Sequence, residues 1–567
     1  MAPALLLLLL LPHHPSTLES QYGRLETDRQ TYRPLDTVRL NITGRAKPDT
    51  TCRIRVADPQ QHTYFEKDVD LTNNKGQLQF PATGALGVHY IYLHFPNEKR
   101  YSRYLNFRLD AESSIDTGDR DFDALLPFTR EAMQLGRRDY MTPRGRFVGY
   151  ISADTWHFDG IWLRDWIYSL PGYKHWEREM QCGLDRFLEV QREDGQTPDG
   201  IERDGRTWRV GLESDVEYIL TLGVWDTWRA TGKGASRHVI ATCDSSGYYQ
   251  AFRAMSAMDS HLGHAAKAQE WSREADGYAE RSKKLLWDGA KFLHHVHLDK
   301  IDHDGFDESK QLAMGNTWAV TRGLALPSEA VKVIDEYRRR WRETGDKYPW
   351  WSLQPGYPDS LGYWKDPYRL QGAYANGGLM PWVGGELARG ALQNGREDFG
   401  VQLIRQYANH LRETGGAQVW YFPDGTPGFR TTNEVRYAGW GMAQWIGALV
   451  EGLAGIRDTG SMMRAVEISP RWAATGISRA RATSRYAASN GYFSYMWTAG
   501  PRALNIDYSG SSDHLSFRIL LPRGFNPRTV TVDGAALKFE REVTGGSVYL
   551  RIDPENAQRG VIRIAAQ

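Results

Sequence analysis

The chain has 567 residues, with 70 Lys+Arg against 69 Asp+Glu and a formal net charge of +1. That length calls for several domains. The even balance of charge excludes an electrostatic case for nucleic acid or an acidic membrane surface as partner. The distinguishing excess is aromatic, 20 Trp and 29 Tyr. Such rings fill cores; beside carboxylates in turn-rich segments they also make flat platforms with an apolar face and a polar edge.

The N-terminus carries seven consecutive leucines, Leu5 to Leu11. The run is too short to span a bilayer and has the length of a signal-peptide h-region. No Lys or Arg precedes it and no A-x-A cleavage site follows. Residues 1–20 are read as a secretory signal, which predicts a secreted, periplasmic or cell-surface protein. No other run is long enough to cross a membrane. The three cysteines, Cys52, Cys182 and Cys243, have no CxxC or Cys/His spacing, so free thiols are expected and no metal site.

Residues 21–110 are strand-like. TVRLNITG, CRIRVAD, GQLQF and HYIYLHF are short β-rich runs divided by Pro, Asp, Asn and Gly. They predict an accessory β-sandwich. Residues 111–122, AESSIDTGDRDF, read as a polar linker. From 123 to 463 the period is helical. Trp176, Met180, Leu184, Phe187 and Leu188 keep one face apolar. Phe252, Met255, Met258, Leu262 and Ala265 form a second stripe, Leu403, Ile404, Tyr407 and Leu411 a third, and Ile446, Leu449, Val450 and Leu453 a fourth. Gly-, Pro- and Trp-rich loops divide them. Long helices joined by aromatic loops suit a toroid of helical hairpins whose loops build a site at one end. From 464 to 567 strands return in ALNIDYSG, LSFRILLP, TVTVDGAALKF and SVYLRID, with Asp533-Gly534 as a hairpin turn. The predicted order is β-sandwich, all-α toroid, β-sandwich.

The chemistry starts at HFDGIWLRDWIY, residues 157–168. Asp165 can accept hydrogen bonds from neighbouring hydroxyls, and Arg164 can orient it or bind an oxygen directly. Trp162 and Trp166, four apart, would share a helix face. A structural Arg-Asp bridge between helices is the plainer alternative.

WLRDW resembles the W-x-R-D segment of six-hairpin glycosidases, the (α/α)6 superfamily that includes glucoamylases and bacterial α-L-rhamnosidases. Tyr374-Ala375-Asn376-Gly377-Gly378, followed by Pro381-Trp382-Val383-Gly384-Gly385-Glu386-Leu387, is similar to the Y-x-N-G-G … W-x-G-G loop and helix of many of these enzymes. Trp420-Tyr421-Phe422-Pro423-Asp424-Gly425 and the helix opening Gly439-Trp440-Gly441 follow in the same order. The resemblance covers residues 120 to 460. It implies an (α/α)6 toroid, no cofactor, and a carbohydrate held by Trp162, Arg164, Asp165, Asn376, Trp382, Glu386, Trp420 and Trp440.

Glycoside hydrolysis by inversion needs two carboxyl groups, one to protonate the leaving oxygen and one to activate water. Three neighbourhoods supply candidates. Glu213, with Asp215 and Glu217, opens an apolar helix, where the helix start favours the ionised form. Asp244 precedes another helix and is either an N-cap or the acid, since the resemblance implies an acid from a loop near mid-toroid. Glu434 lies just ahead of the last helix and is preferred as base over Asp424, because Pro-Asp-Gly is an ordinary turn signal. Between Gly232 and Asp244 the chain is about one hairpin shorter than the resemblance implies, which opens the alternative of a glycan-binding protein without turnover. A polysaccharide lyase using Arg436 and Tyr437 is a further alternative.

Two other segments carry expectations. His294, His295, His297 and His303 lack a carboxylate motif to complete a metal site. The long aromatic loop Lys347–Tyr374 is expected to supply a sugar platform from Trp350, Trp351 or Trp364.

Overall fold

In Thr37–Gly44 exposed and buried residues alternate throughout, which puts Val38, Leu40 and Ile42 inside. This period of two recurs in Thr51–Ala57 and Gly87–His94. The strands form a four-stranded and a five-stranded sheet around a core of their own. The computed structural model describes residues 16–19, 23–44, 51–95, 103–142, 145–150, 160–192, 196–209, 219–222, 225, 245–296, 305–361, 370–428 and 438–566.

The segment that reads as a linker is partly a strand. Ser114–Asp116 pairs antiparallel with Arg479–Arg485 and forms the edge of a seven-stranded sheet in the C-terminal sandwich. Ile115 is buried, and its polar neighbours hid it from a hydrophobic pattern. The two sandwiches also touch directly. Arg481 pairs with Asp36 at 2.9 Å, and the Gly84 N–H donates to Ser509 Oγ at 3.2 Å. The C-terminal sandwich combines the seven-stranded sheet with a five-stranded one. Asp533 and Gly534 both take positive φ, 51° and 85°, and close the hairpin that pairs Val532 with Ala535. Positive φ at both central residues is the turn that matches strand twist.

The helices between the sandwiches are α1 (Arg120–Asp123), α2 (Leu125–Gln134), α3 (Leu163–Tyr173), α4 (Met180–Glu189), α5 (Ser245–His261), α6 (Ala265–Leu286), α7 (Gly315–Thr321), α8 (Pro327–Thr344), α9 (Pro381–Gln393), α10 (Glu397–Thr414) and α11 (Gly439–Gly447). Short connections make α5/α6, α7/α8 and α9/α10 helical hairpins. The stripe from Phe252 to Ala265 does not run along one helix. The chain turns at 262–264, and Leu262 is 60% exposed. Trp176 lies ahead of α4 rather than in it.

Helices α3, α11 and α9 run parallel, side by side. Gly439 faces Ser169 and Gly172 faces Ala443; Gly441 faces Pro381, and Gly452 faces Leu392. Glycines set the spacing. A Cβ on Gly385 would stand 2.7 Å from the backbone carbon of Gln444, and one on Gly384 would stand 2.6 Å from the rings of Trp350 and Trp445. The G-G pair of PWVGGE is therefore a packing seam. Gly385→Ala is expected to destabilise by about 1–3 kcal/mol despite alanine's better helix propensity, because a backbone atom of the next helix must move. A urea midpoint equal to wild type would show that the seam is loose.

After α11 the helix widens into a π turn, Ala448–Leu453. Glu451 sits in that turn and accepts from Lys174 Nζ at 2.6 Å and from Arg389 Nη1 at 3.2 Å.

Candidate active site

The protein has a second apolar cluster in the helical region, separate from the main core. Trp318, Ala373, Met380, Trp382, Val383 and Trp420 form it, with Tyr168, Tyr374 and Trp440 packed against it. Its residues come from the first turns of α7, α9 and α11, the second turn of α3, and the loops before α9 and α11. Trp382 is its centre. Its ring lies 4.7 Å from Trp318, 6.2 Å from Tyr168 at an interplanar angle of 10°, and 5.8 Å from Trp440. Only 6% of Trp382 is exposed, and its indole N–H is buried without a hydrogen-bond partner. The indole N–H of Trp440 is in the same condition. A buried donor left unpaired costs free energy, and the core residues Trp350 and Trp445 carry the same cost.

Beside the cluster is a cavity of about 800 Å³. Its walls are the start of α5, residues 292–296, the start of α7, and the segments 352–357 and 374–376. Trp318 lines it, so cluster and cavity share a wall. Small-molecule pockets have this scale and this mixture of rings and a few polar groups.

The YANGG and WYFPDG segments meet. Leu379 and Tyr421 exchange backbone hydrogen bonds at 2.8 Å in each direction. Gly377 takes φ 107°, which an L side chain resists, and a Cβ on Gly378 would stand 2.7 Å from the Tyr374 backbone. These two glycines let the loop fold back under Trp420. Asn376 spends both ends of its amide on the loop, accepting from the Tyr357 N–H at 2.6 Å and donating to the Tyr357 carbonyl at 3.0 Å. It also lines the cavity.

Arg164 and Asp165 open α3 and are half-buried. Ser169 Oγ donates to the Asp165 carbonyl at 2.7 Å and steadies that turn. Trp162 ends the strand Gly160–Trp162 and packs edge-on against Trp208 at 4.0 Å. It does not share a helix face with Trp166, which is buried against Phe187 and Gly183. Trp162 precedes the helix, so the four-residue spacing has no helical meaning there. Glu386 is buried one turn deeper than Trp382, and Arg389 Nη2 donates to both its oxygens at 2.9 and 2.8 Å. Trp420 is fully buried within the cluster.

The expectation of a platform at Trp350 or Trp351 is corrected. Trp350 is 0% exposed, wedged between Tyr348 and Trp445, and Trp351 is 1% exposed, donating to Asp346 at 2.7 Å. Both belong to the main core, because the aromatic loop folds inward over α8 and α10. Trp364 lies outside the described residues, as do Glu213, Asp215, Glu217, Asp244, Glu434, Arg436, Tyr437, His297, His303, Cys243 and the Gly232–Asp244 connection. Asp424 caps an ordinary turn, accepting from the Thr426 N–H at 2.8 Å. Cys52 and Cys182 are free thiols. Among the described residues no group of His, Cys, Asp and Glu could hold a metal ion, and no helix is long and apolar enough to cross a membrane.

Sequence reasoning missed Trp318, Tyr168 and Glu308. Tyr168 stood at the end of the opening motif, and Trp318 lies in the first turn of α7, in a segment with no motif. Glu308 lines the cavity from a segment with no motif.

No family model matches the chain, and no curated protein does. Solved structures that align with it include three of known name. One is a sialidase, with 11% identity and a TM-score of 0.46, covering 96% of this chain and 62% of its own. A rhamnosidase from Klebsiella oxytoca with rhamnose bound has 10% identity and a TM-score of 0.40, covering 74% and 88%. A bacterial glucoamylase complexed with acarbose has 10% identity and a TM-score of 0.43, covering 77% and 85%. The chain thus spans less than two thirds of the sialidase it aligns with.

Proposed function

We propose that the protein is a glycoside hydrolase that releases a terminal sugar with inversion and without a cofactor. The observation that carries this reading is the cavity beside the aromatic cluster, whose wall sets Trp318, Tyr357 and Tyr374 next to Glu308 and Asn376. A sugar ring offers such a wall an apolar face for the rings and hydroxyl groups for the polar side chains. Arg164 and Asp165 at the start of α3 grip its hydroxyl groups. Asp244, or else Glu213, is the acid and Glu434 the base, in a mechanism that requires a separation of roughly 6.5–9.5 Å so that a water fits. The three helical hairpins support an (α/α)6 toroid as its scaffold. The leucine run at the N-terminus supports export, so the sugar is met outside the cell or at its surface.

Incubation with aryl glycosides and with plant and bacterial glycans tests the reading, with the anomer of the product followed by NMR. Release of a sugar in the inverted form is the expected result. Asp165→Asn and Arg164→Ala are each expected to lower kcat/KM by about a hundredfold, since each removes a charge-assisted hydrogen bond to substrate. A folded protein that releases no sugar from any of these sinks the hydrolase. The short Gly232–Asp244 connection favours one second reading, a glycan-binding protein without turnover, which would bind the same sugars unchanged. An ultraviolet-absorbing unsaturated product would instead identify a lyase.

A further inference from the structure

Glu308 opens a single 3-10 turn, Glu308–Lys310, which Asp307 fixes by accepting from the Ser309 N–H at 3.1 Å. Its side chain points into a built arrangement. The Tyr357 hydroxyl donates to Glu308 Oε1 at 2.5 Å, and His295 Nε2 stands 3.5 Å from Oε2. Tyr357 is itself clamped by the Asn376 amide, so the support runs from Asn376 through Tyr357 to the carboxylate. Glu308, Tyr357, His295 and Asn376 all line the same cavity as Trp318. Trp318 in turn touches Trp382, whose buried N–H has no partner.

We infer that Glu308 is the carboxylate that meets the ligand in this cavity, held by Tyr357 and His295 to receive the hydrogens of a bound polyol. The inference rests on reading the cavity as a sugar site. A carboxylate accepts only, so it pairs with vicinal hydroxyl groups and pairs more strongly with a polyol that carries a positive charge. The Tyr357 hydroxyl fixes the direction in which the carboxylate faces. The role of Glu308 is that of a hydroxyl acceptor and a counter-charge. The site therefore discriminates by ligand charge: a protonated piperidine iminosugar binds more tightly than the neutral monosaccharide of the same configuration.

The test is calorimetric titration of the full chain at pH 7 with a panel of piperidine iminosugars and their neutral counterparts. Hydrolysis of aryl glycosides is assayed in parallel. Wild type is expected to prefer the charged member of its best pair by about tenfold or more. Glu308→Gln is expected to abolish most of that preference, and Glu308→Asp, which keeps the charge, to retain it. Damage to the cavity without loss of the charge contact lowers both affinities alike and leaves the ratio unchanged. An unchanged ratio in a folded Glu308→Gln overturns the inference. Should that variant fail to fold, Tyr357→Phe keeps the carboxylate but releases it, and is expected to lower the ratio by about threefold; no change there overturns the inference equally. Charge-dependent binding through Glu308 with no hydrolysis of any glycoside leaves the inference standing and removes the hydrolase. Hydrolysis with no such preference does the reverse. If wild type binds neither class of ligand, the cavity is not a sugar site and both fall.

Discussion

Lys174→Met is expected to lower the stability of the helical region by about 3–5 kcal/mol, the usual consequence of removing one partner from a buried ion pair. Lys174 is 4% exposed and Glu451 is held in the π turn after α11. Glu451 also pairs with Arg389, which holds Glu386, so these four side chains form one ion-paired quartet. Methionine fills the space of the lysine stem but takes the ammonium away from Glu451. The double variant Lys174→Met with Glu451→Met restores the balance, because Arg389 and Glu386 remain as a bidentate pair. It is therefore expected to be more stable than the single variant. Urea unfolding of both proteins measures this. A single variant as stable as wild type would falsify the claim that the quartet is a desolvated unit.

Acidification from pH 7 to pH 5 is expected to destabilise the fold well before the carboxylates titrate. Burial, and then Lys174, push His175 from 6.5 down to about 3. Burial, and then Lys347, push His410 down to about 4. Both are neutral in the folded protein across this window. In the unfolded chain both take up a proton as pH falls through 6.5. The unfolded state then binds more protons, so their contribution to stability is full above pH 6.5 and is lost on the way down. Each group removes about 2 kcal/mol by pH 5. Glu336 and Glu542, each lowered to about 2 by arginine hydrogen bonds, add a loss only further down, as pH falls through their unfolded range. Urea midpoints measured every half unit of pH give the slope, and His175→Gln is expected to reduce it by about one proton's worth. A flat profile between pH 7 and pH 5 would mean that these imidazoles are hydrated in the folded protein.

The strands were legible because alternation is a local signal. TVRLNITG and the Asp533-Gly534 hairpin needed nothing beyond their own residues. The strand Ser114–Asp116 was not, because its partner lies in Arg479–Arg485 and no local pattern records that pairing. The aromatic residues divide in the same way. Trp382 and Trp440 stood in motifs whose glycines fix backbone geometry, and the fold brings them together. Trp350 and Trp351 stood in a loop rich in Pro and Tyr, and only tertiary packing shows that it turns inward. Glu308 carried no signal at all. Its place depends on Tyr357, about fifty residues later, and on an amide from Asn376. Motifs announce the groups that shape a loop; they do not announce a side chain whose role is set by what folds over it.

The edge strand Ser114–Asp116 also constrains the order in which the protein is completed. A ribosome makes the N-terminal sandwich first and the sheet that receives this strand last. For more than three hundred residues of synthesis Ile115 has no sheet to enter, and Asp36 and Gly84 wait for Arg481 and Ser509. The two ends of the chain thus close on each other across the helical region. A C-terminal fragment beginning after α11 would lack its own edge strand, and adding the peptide 111–118 in trans is the simplest way to give it back.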